Sequence, residues 1–194
     1  MHQQVLGPFK NHNLSDARSL ELRFNFSGQS PNHDWQKNHI NSIFVADYTG
    51  QVATDLNPDI TSQQATLSDT INFVANELLE QAMLCREAGS DKEIRIIIRI
   101  SDTNIRLYVR NRVNPDLIDK LTAKLATFLS EDPAIGYMRH LQNGLDSPSD
   151  DLRYLSMIVD HQVDIAWKIE YGDNTAKDAW VTTMTQVPIL NSTH

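Results

Sequence analysis

Glu77 and Gln81 lie four residues apart in the stretch Asn76-Glu77-Leu78-Leu79-Glu80-Gln81-Ala82. On a helix that spacing projects both side chains from one face. A carboxylate and an amide oxygen side by side offer the hard oxygen donors that magnesium takes at short, near-octahedral distances. Asn76 cannot replace Gln81 in the pair, because it sits about 100° round the helix from Glu77. Other reactive types offer less. None of the seven histidines shows the H-x-x-x-H or H-E-x-x-H spacing of a metal-binding helix, so no metal is assigned to them. The single cysteine, Cys85, continues an apolar stripe and reads as core rather than nucleophile. No Ser-His-Asp arrangement follows from spacing. Arg95, Arg99, Arg106 and Arg110 share one face of two strand-like runs. They read as a solvated cationic sheet face, with a phosphate- or acid-binding face as the alternative.

Periodicity predicts the elements that must position these residues. Leu20, Leu22, Phe24 and Phe26 alternate with polar residues, as in a half-buried strand that Ser27 to Pro31 ends. Trp35, Ile40, Ile43, Phe44 and Tyr48 fall at helical spacing behind Asp34 as N-cap. Residues 49–66, polar and holding Gly50 and Pro58, read as a connector. Leu67, Ile71, Val74, Leu78, Ala82 and Cys85 form the clearest helical stripe, with Gly89 as its stop. Isoleucines 94, 96, 98 and 100, a turn at Ser101 to Asn104, and Ile105, Leu107 and Val109 predict a hairpin with one apolar and one cationic face. Asn114-Pro115 starts a helix with Leu117, Leu121, Leu125 and Phe128 inward, and Asp132-Pro133 starts a short one through Leu141. After a loop over 143–150 comes a helix with Leu152, Leu155 and Ile158 or Val159 inward. A second hairpin closes the chain: Ile165, Trp167 and Ile169, a turn at Gly172 to Asn174, then Trp180 to Pro188.

Paired strands separated by several helices favour an α/β two-layer sandwich, a mixed or antiparallel sheet with helices on one face, over a doubly wound parallel fold. The expected organisation is a loose N-terminal arm over 1–18, a strand–helix extension over 19–60 and the sandwich over 61–190. With 17 Lys plus Arg against 25 Asp plus Glu, the net charge is −8. An acidic chain without a basic block lacks the electrostatic footprint for nucleic acid or anionic lipid. One cysteine fits a reducing compartment, and no run approaches the roughly 18 apolar residues of a membrane span. The expectation is a soluble cytoplasmic protein.

The order of elements, with Glu77 to Ala82 on the helix before the first hairpin, resembles the GHKL-type ATPase fold of histidine-kinase ATP domains and anti-sigma factor kinases. That family carries an E-L-L-x-N-A helix motif. More narrowly, the chain is similar to the small SiaB-type and cyanobacterial regulators that pair with STAS-domain partners. The blocks Asp34 to Tyr48, Phe73 to Met83, Leu155 to Ile169 and Val181 to Ile189 carry the likeness. The resemblance implies an ATP-Mg site in which Glu77 positions or activates water, Gln81 replaces the magnesium-ligating Asn, and Asn111 replaces the adenine-binding Asp. Arg153 would be the residue to meet a phosphate.

The sequence departs from the family at the boxes that matter most. Gln carries one methylene more than Asn, so its oxygen moves outward and another torsion must be fixed. Val113 and Pro115 stand where the family has glycines, yet a β-branched residue resists positive φ and proline has no N–H. Asp150 and Asp151 open the last helix where a glycine-rich box would cradle phosphate, and their charge opposes a triphosphate. The expectation is a bacterial signalling regulator with a degenerate ATPase-like fold, working by partner switching with a STAS-type or anti-sigma-antagonist-type protein. A homodimer is compatible with that role. The alternative is an active ATP- and Mg2+-dependent SiaB-like serine/threonine protein kinase with Glu77 as catalytic base.

Overall fold

The computed structural model describes residues 2–11, 18–25, 31–84, 93–142, 150–172 and 179–189. Its elements are β1 (Gln3–Leu6), β2 (Arg18–Asn25), α1 (Pro31–Leu56), a 3-10 turn (Pro58–Gln63), α2 (Gln64–Leu84), β3 (Glu93–Ile100), β4 (Asn104–Val113), α3 (Pro115–Ser130), α4 (Pro133–Gln142), α5 (Asp150–His161), β5 (Asp164–Tyr171) and β6 (Ala179–Pro188). The strands form one sheet in the order β1-β5-β6-β4-β3-β2, and every neighbouring pair is antiparallel. The helices pack on one side, which makes the expected two-layer α/β sandwich.

Strand alternation decides which side. Ile94, Ile96, Ile98 and Ile100 of β3 pair across to Asn111, Val109, Leu107 and Ile105 of β4, and all eight are buried beneath the helices. Ile165, Trp167 and Ile169 extend the same core from β5. Trp167 meets Tyr154 of α5 and Phe128 of α3 edge-on, with ring centroids 5.4 and 5.9 Å away. Such contacts stabilise by about 0.5–1.5 kcal/mol each beyond area burial, and here they tie two helices to the sheet.

The β3–β4 hairpin turns where expected, with the Ser101 backbone N–H donating to the Asn104 carbonyl at 3.0 Å. The apolar stripe of α2 is also as expected: Leu67, Ile71, Val74, Leu78 and Ala82 are all buried. Cys85, Gly89 and the turn after Gly172 lie outside the described residues.

Several expectations need correction. Residues 49–66 are helical rather than a connector: α1 runs on to Leu56, and the 3-10 turn leads straight into α2. Gly50 is not a breaker but a contact, because a Cβ there would come within 2.2 Å of the Ser68 hydroxyl on α2. Val45, Ala46, Thr49 and Ala53 form the buried face of α1 on both sides of it, whereas Ile40, Ile43 and Phe44 of the expected stripe are exposed. The same helix begins at Pro31, ahead of the expected cap Asp34. On α3, Ile118 rather than Leu117 opens the inward stripe, while Leu125 is buried and Leu121 and Phe128 pack against the core as expected.

A further correction is to the arm expected to be loose. Residues 3–6 add β1 to the edge beside β5. Gly7, with φ at +78°, then turns the chain over the open face of the sheet, a conformation that glycine adopts without a Cβ penalty. There Phe9 packs on Tyr108, Ile97, Ala166 and Met184 as a small second core. The strand and helix set apart as an extension are likewise joined to the sandwich. Strand β2 pairs with β3 over eight residues, and α1 packs along α2.

Candidate functional site

Helix α2 lies on the sheet with α1 and α5 beside it, so its last turns have little open side. Five consecutive residues, Leu78 to Ala82, are buried, and two of them are polar: Glu80 is 4% exposed and Gln81 6%. A buried carboxylate costs several kcal/mol unless it is paired. Arg153, from the first turn of α5, supplies the partner. Its Nη1 lies 3.0 Å from Glu77 Oε2 and 2.5 Å from Glu80 Oε2, so one guanidinium nitrogen is shared by two carboxylates.

The electrostatics follow from that sharing. Burial pushes the Glu77 carboxyl above its ordinary value; Arg153 opposes the rise, and the like charge of Glu80 adds to it. Arg153 is driven the other way, its guanidinium held further into the charged range chiefly by the bond to Glu80. The trio carries one net negative charge and makes its ion pairs within itself.

The residues implied by the nucleotide resemblance are therefore placed as follows. Glu77 and Arg153 come together, but as an ion pair. Gln81 lies one turn on from Glu77 along α2 and is buried. Asn111 faces the helical layer in the middle of a regular ladder, with Ile94 opposite on β3 and Val181 opposite on β6. Its amide donates to the Arg112 carbonyl at 3.3 Å. Strand β4 continues to Val113 in register with Ala179, and the Leu117 N–H donates to the Asn114 carbonyl as α3 begins. The segment where an adenine-binding glycine turn would stand is thus strand followed by helix. At the head of α5, Asp151 pairs with Lys124 of α3 at 3.3 Å.

This arrangement does not fit a magnesium-nucleotide. A cation at Glu77 would have to displace the Arg153 guanidinium from both acids, and a phosphate drawn to Arg153 would meet Glu77 and Glu80. Among the described residues no group of three or more His, Cys, Asp or Glu side chains is placed to hold a metal ion.

Glu80 is the residue that sequence reading missed. Periodicity puts it off the apolar stripe, as a solvated helix position. Only the packing of α5 against α2 turns that position inward. The available signal was weak: a second acid three residues after Glu77 on the same helix.

A cleft of about 500 Å³ opens elsewhere, between the start of α2, the end of α5 and the end of β6. Ile60, Leu67, Val187 and Ile189 give it apolar walls, and Asp69, Asp160 and His161 stand among its polar lining. None of the implied nucleotide residues borders it, and no Lys or Arg lines it. This cleft and the acid–arginine trio are therefore separate features. No protein-family model matches the chain, and no curated protein matches it. No helix among the described residues is long and apolar enough to cross a membrane.

Proposed function

We propose that the chain is a signalling regulator built on an ATPase-like sandwich, acting by binding a protein partner of the STAS or anti-sigma-antagonist type and no longer handling nucleotide. The observation that carries the loss of nucleotide chemistry is the Arg153 clamp: both acids of the α2 motif are already paired with an arginine from within the fold. The support for partner binding is apolar surface in two segments. On α1, Ile40 is 66% exposed, beside the exposed Ile43 and Phe44. On α4, Ile135 is 59% exposed, and Met138 and Leu141 continue its outward stripe. Large side chains clustered at the surface mark protein contact surfaces more often than isolated ones do.

Two measurements test the reading together. Thermal melting in millimolar Mg-ATP is expected to leave Tm unchanged. Titration of STAS-domain proteins from the same genome is expected to find one that binds the native chain, and Phe44→Asp or Met138→Asp is expected to weaken that binding while preserving the fold. Micromolar Mg-ATP binding with phosphate transfer to a STAS protein would overturn the proposal in favour of an active kinase. So would undiminished binding of the partner by both variants.

A further inference from the structure

The open face of the sheet carries arginines directly opposite one another: Arg95 faces Arg110, and Arg99 faces Arg106, across β3 and β4. Directly opposed like charges destabilise an antiparallel pair unless something offsets them. The first pair is offset. Arg95 meets Glu21 at 2.6 Å, and Arg110 meets Glu170 at 3.5 Å while lying over the Trp180 ring. The second pair has no acid partner among the described residues. Arg106 is only 8% exposed, and its Nε donates to Gln186 Oε1 at 2.7 Å. The Nε of Arg99 is buried and has no hydrogen-bond partner among the described residues.

A third cation joins them. The strap after Gly7 is fixed by Phe9 on Tyr108 and by the Tyr108 hydroxyl donating to the Lys10 carbonyl at 2.8 Å. It delivers Lys10 Nζ to the same Gln186 oxygen, at 3.0 Å. The amide nitrogen of Gln186 in turn donates to the Asp164 carboxylate at 3.0 Å. Ser19 faces Arg99 from β2, and Glu21 beyond it is committed to Arg95. Two positive charges thus converge on one neutral amide oxygen, and a third, Arg99, stands directly across from Arg106 on the neighbouring strand.

We infer that Arg99, Arg106 and Lys10 form a binding site for a phosphate-monoester dianion on the open sheet face. Planar guanidinium groups suit two oxygens of one phosphate, and the ammonium adds a point charge. A dianion would relieve the opposition of Arg99 and Arg106 and satisfy the buried Nε. The site lies on the face of the sheet away from the Arg153 trio, so it stands or falls independently of the proposed function.

The test is isothermal titration and thermal melting of the full chain at constant ionic strength, with inorganic phosphate, free phosphoserine and chloride. Saturable binding of phosphate or phosphoserine but not chloride is expected. Tighter binding of phosphoserine would point to a phosphorylated side chain as the source, and equal binding to the free ion or a small phosphate ester. Arg99→Gln, at a half-buried position that need not disturb the fold, should weaken binding by about tenfold to a hundredfold, as expected for a lost charge-assisted bond. Lys10→Gln should weaken it less. No saturable response in the wild type, or an unchanged affinity in R99Q, overturns the inference.

Discussion

At the scale of single residues, the pairing of Arg153 with Glu77 and Glu80 governs what this molecule can do. Truncating a buried ion-pair partner leaves the other charges stranded, at a cost of about 3–5 kcal/mol when the site is well buried. Arg153→Ala is therefore expected to destabilise by about 3 kcal/mol in chemical denaturation, and adding Glu77→Gln and Glu80→Gln to it should recover much of the loss. A triple variant no more stable than R153A would show that the trio is not the coupled unit described. Glu77 also makes a pH prediction. Because burial raises its folded-state value, folding favours the protonated carboxyl. Its stabilising contribution is full below the unfolded value of about 4.3 and is lost as pH rises through the raised folded value. The difference in unfolding free energy between wild type and E77Q should accordingly fall across that window and level off above it. A flat difference would contradict the assigned direction.

At the scale of elements, the signals that start and stop helices were the most readable. Asp132 caps α4 as expected, its Oδ1 accepting from the N–H groups of Ala134 at 2.9 Å and Ile135 at 3.2 Å. Asp132→Ala should cost about 1 kcal/mol, and Asp132→Ser much less, by the usual cap ranking. Equal losses in the two would mean that the cap contributes through something other than these bonds. The hairpins were equally legible, because strand alternation fixes which side chains share a face. The continuous α1 was not. Gly50 and the polar run after it mimic a break, and only the nearness of Ser68 on α2 shows why a glycine stands inside a helix. The exchange of Leu117 for Ile118 at the start of the α3 stripe was hidden for a similar reason: both are apolar, and the packing geometry chooses between them.

For the molecule as a whole, an N-terminal strap and edge strand, a six-stranded sheet and a helical layer form one packed structure whose two sheet faces differ in chemistry. The helical face holds the large apolar core and the acid–arginine trio; the open face holds the small core under Phe9 and the cations that have no acid partner among the described residues. Ligand linkage is the measurement suited to this scale. A ligand that binds only the native state stabilises it by about 2.7 kcal/mol at a hundredfold excess over its Kd. The melting temperature therefore separates phosphate, expected to raise it, from Mg-ATP, expected not to.

The two-layer α/β class, the hairpin faces, most helix starts and the presence of four arginines on one side of the sheet were determined by sequence alone. Each rests on a period of 2 or 3.6 residues or on a local cap, and such signals act between near neighbours in the chain. What Glu77, Glu80 and Arg153 do to one another was decided only by tertiary structure. Seventy-odd residues separate the acids from the arginine, and no local pattern encodes the crossing of α2 and α5. The same holds for Lys10 beside Arg106: one is in a segment without periodicity, and the other is on a central strand. Charge interactions depend on distance and burial in space, so which arginines are neutralised and which are left to a ligand is settled only once the chain is folded.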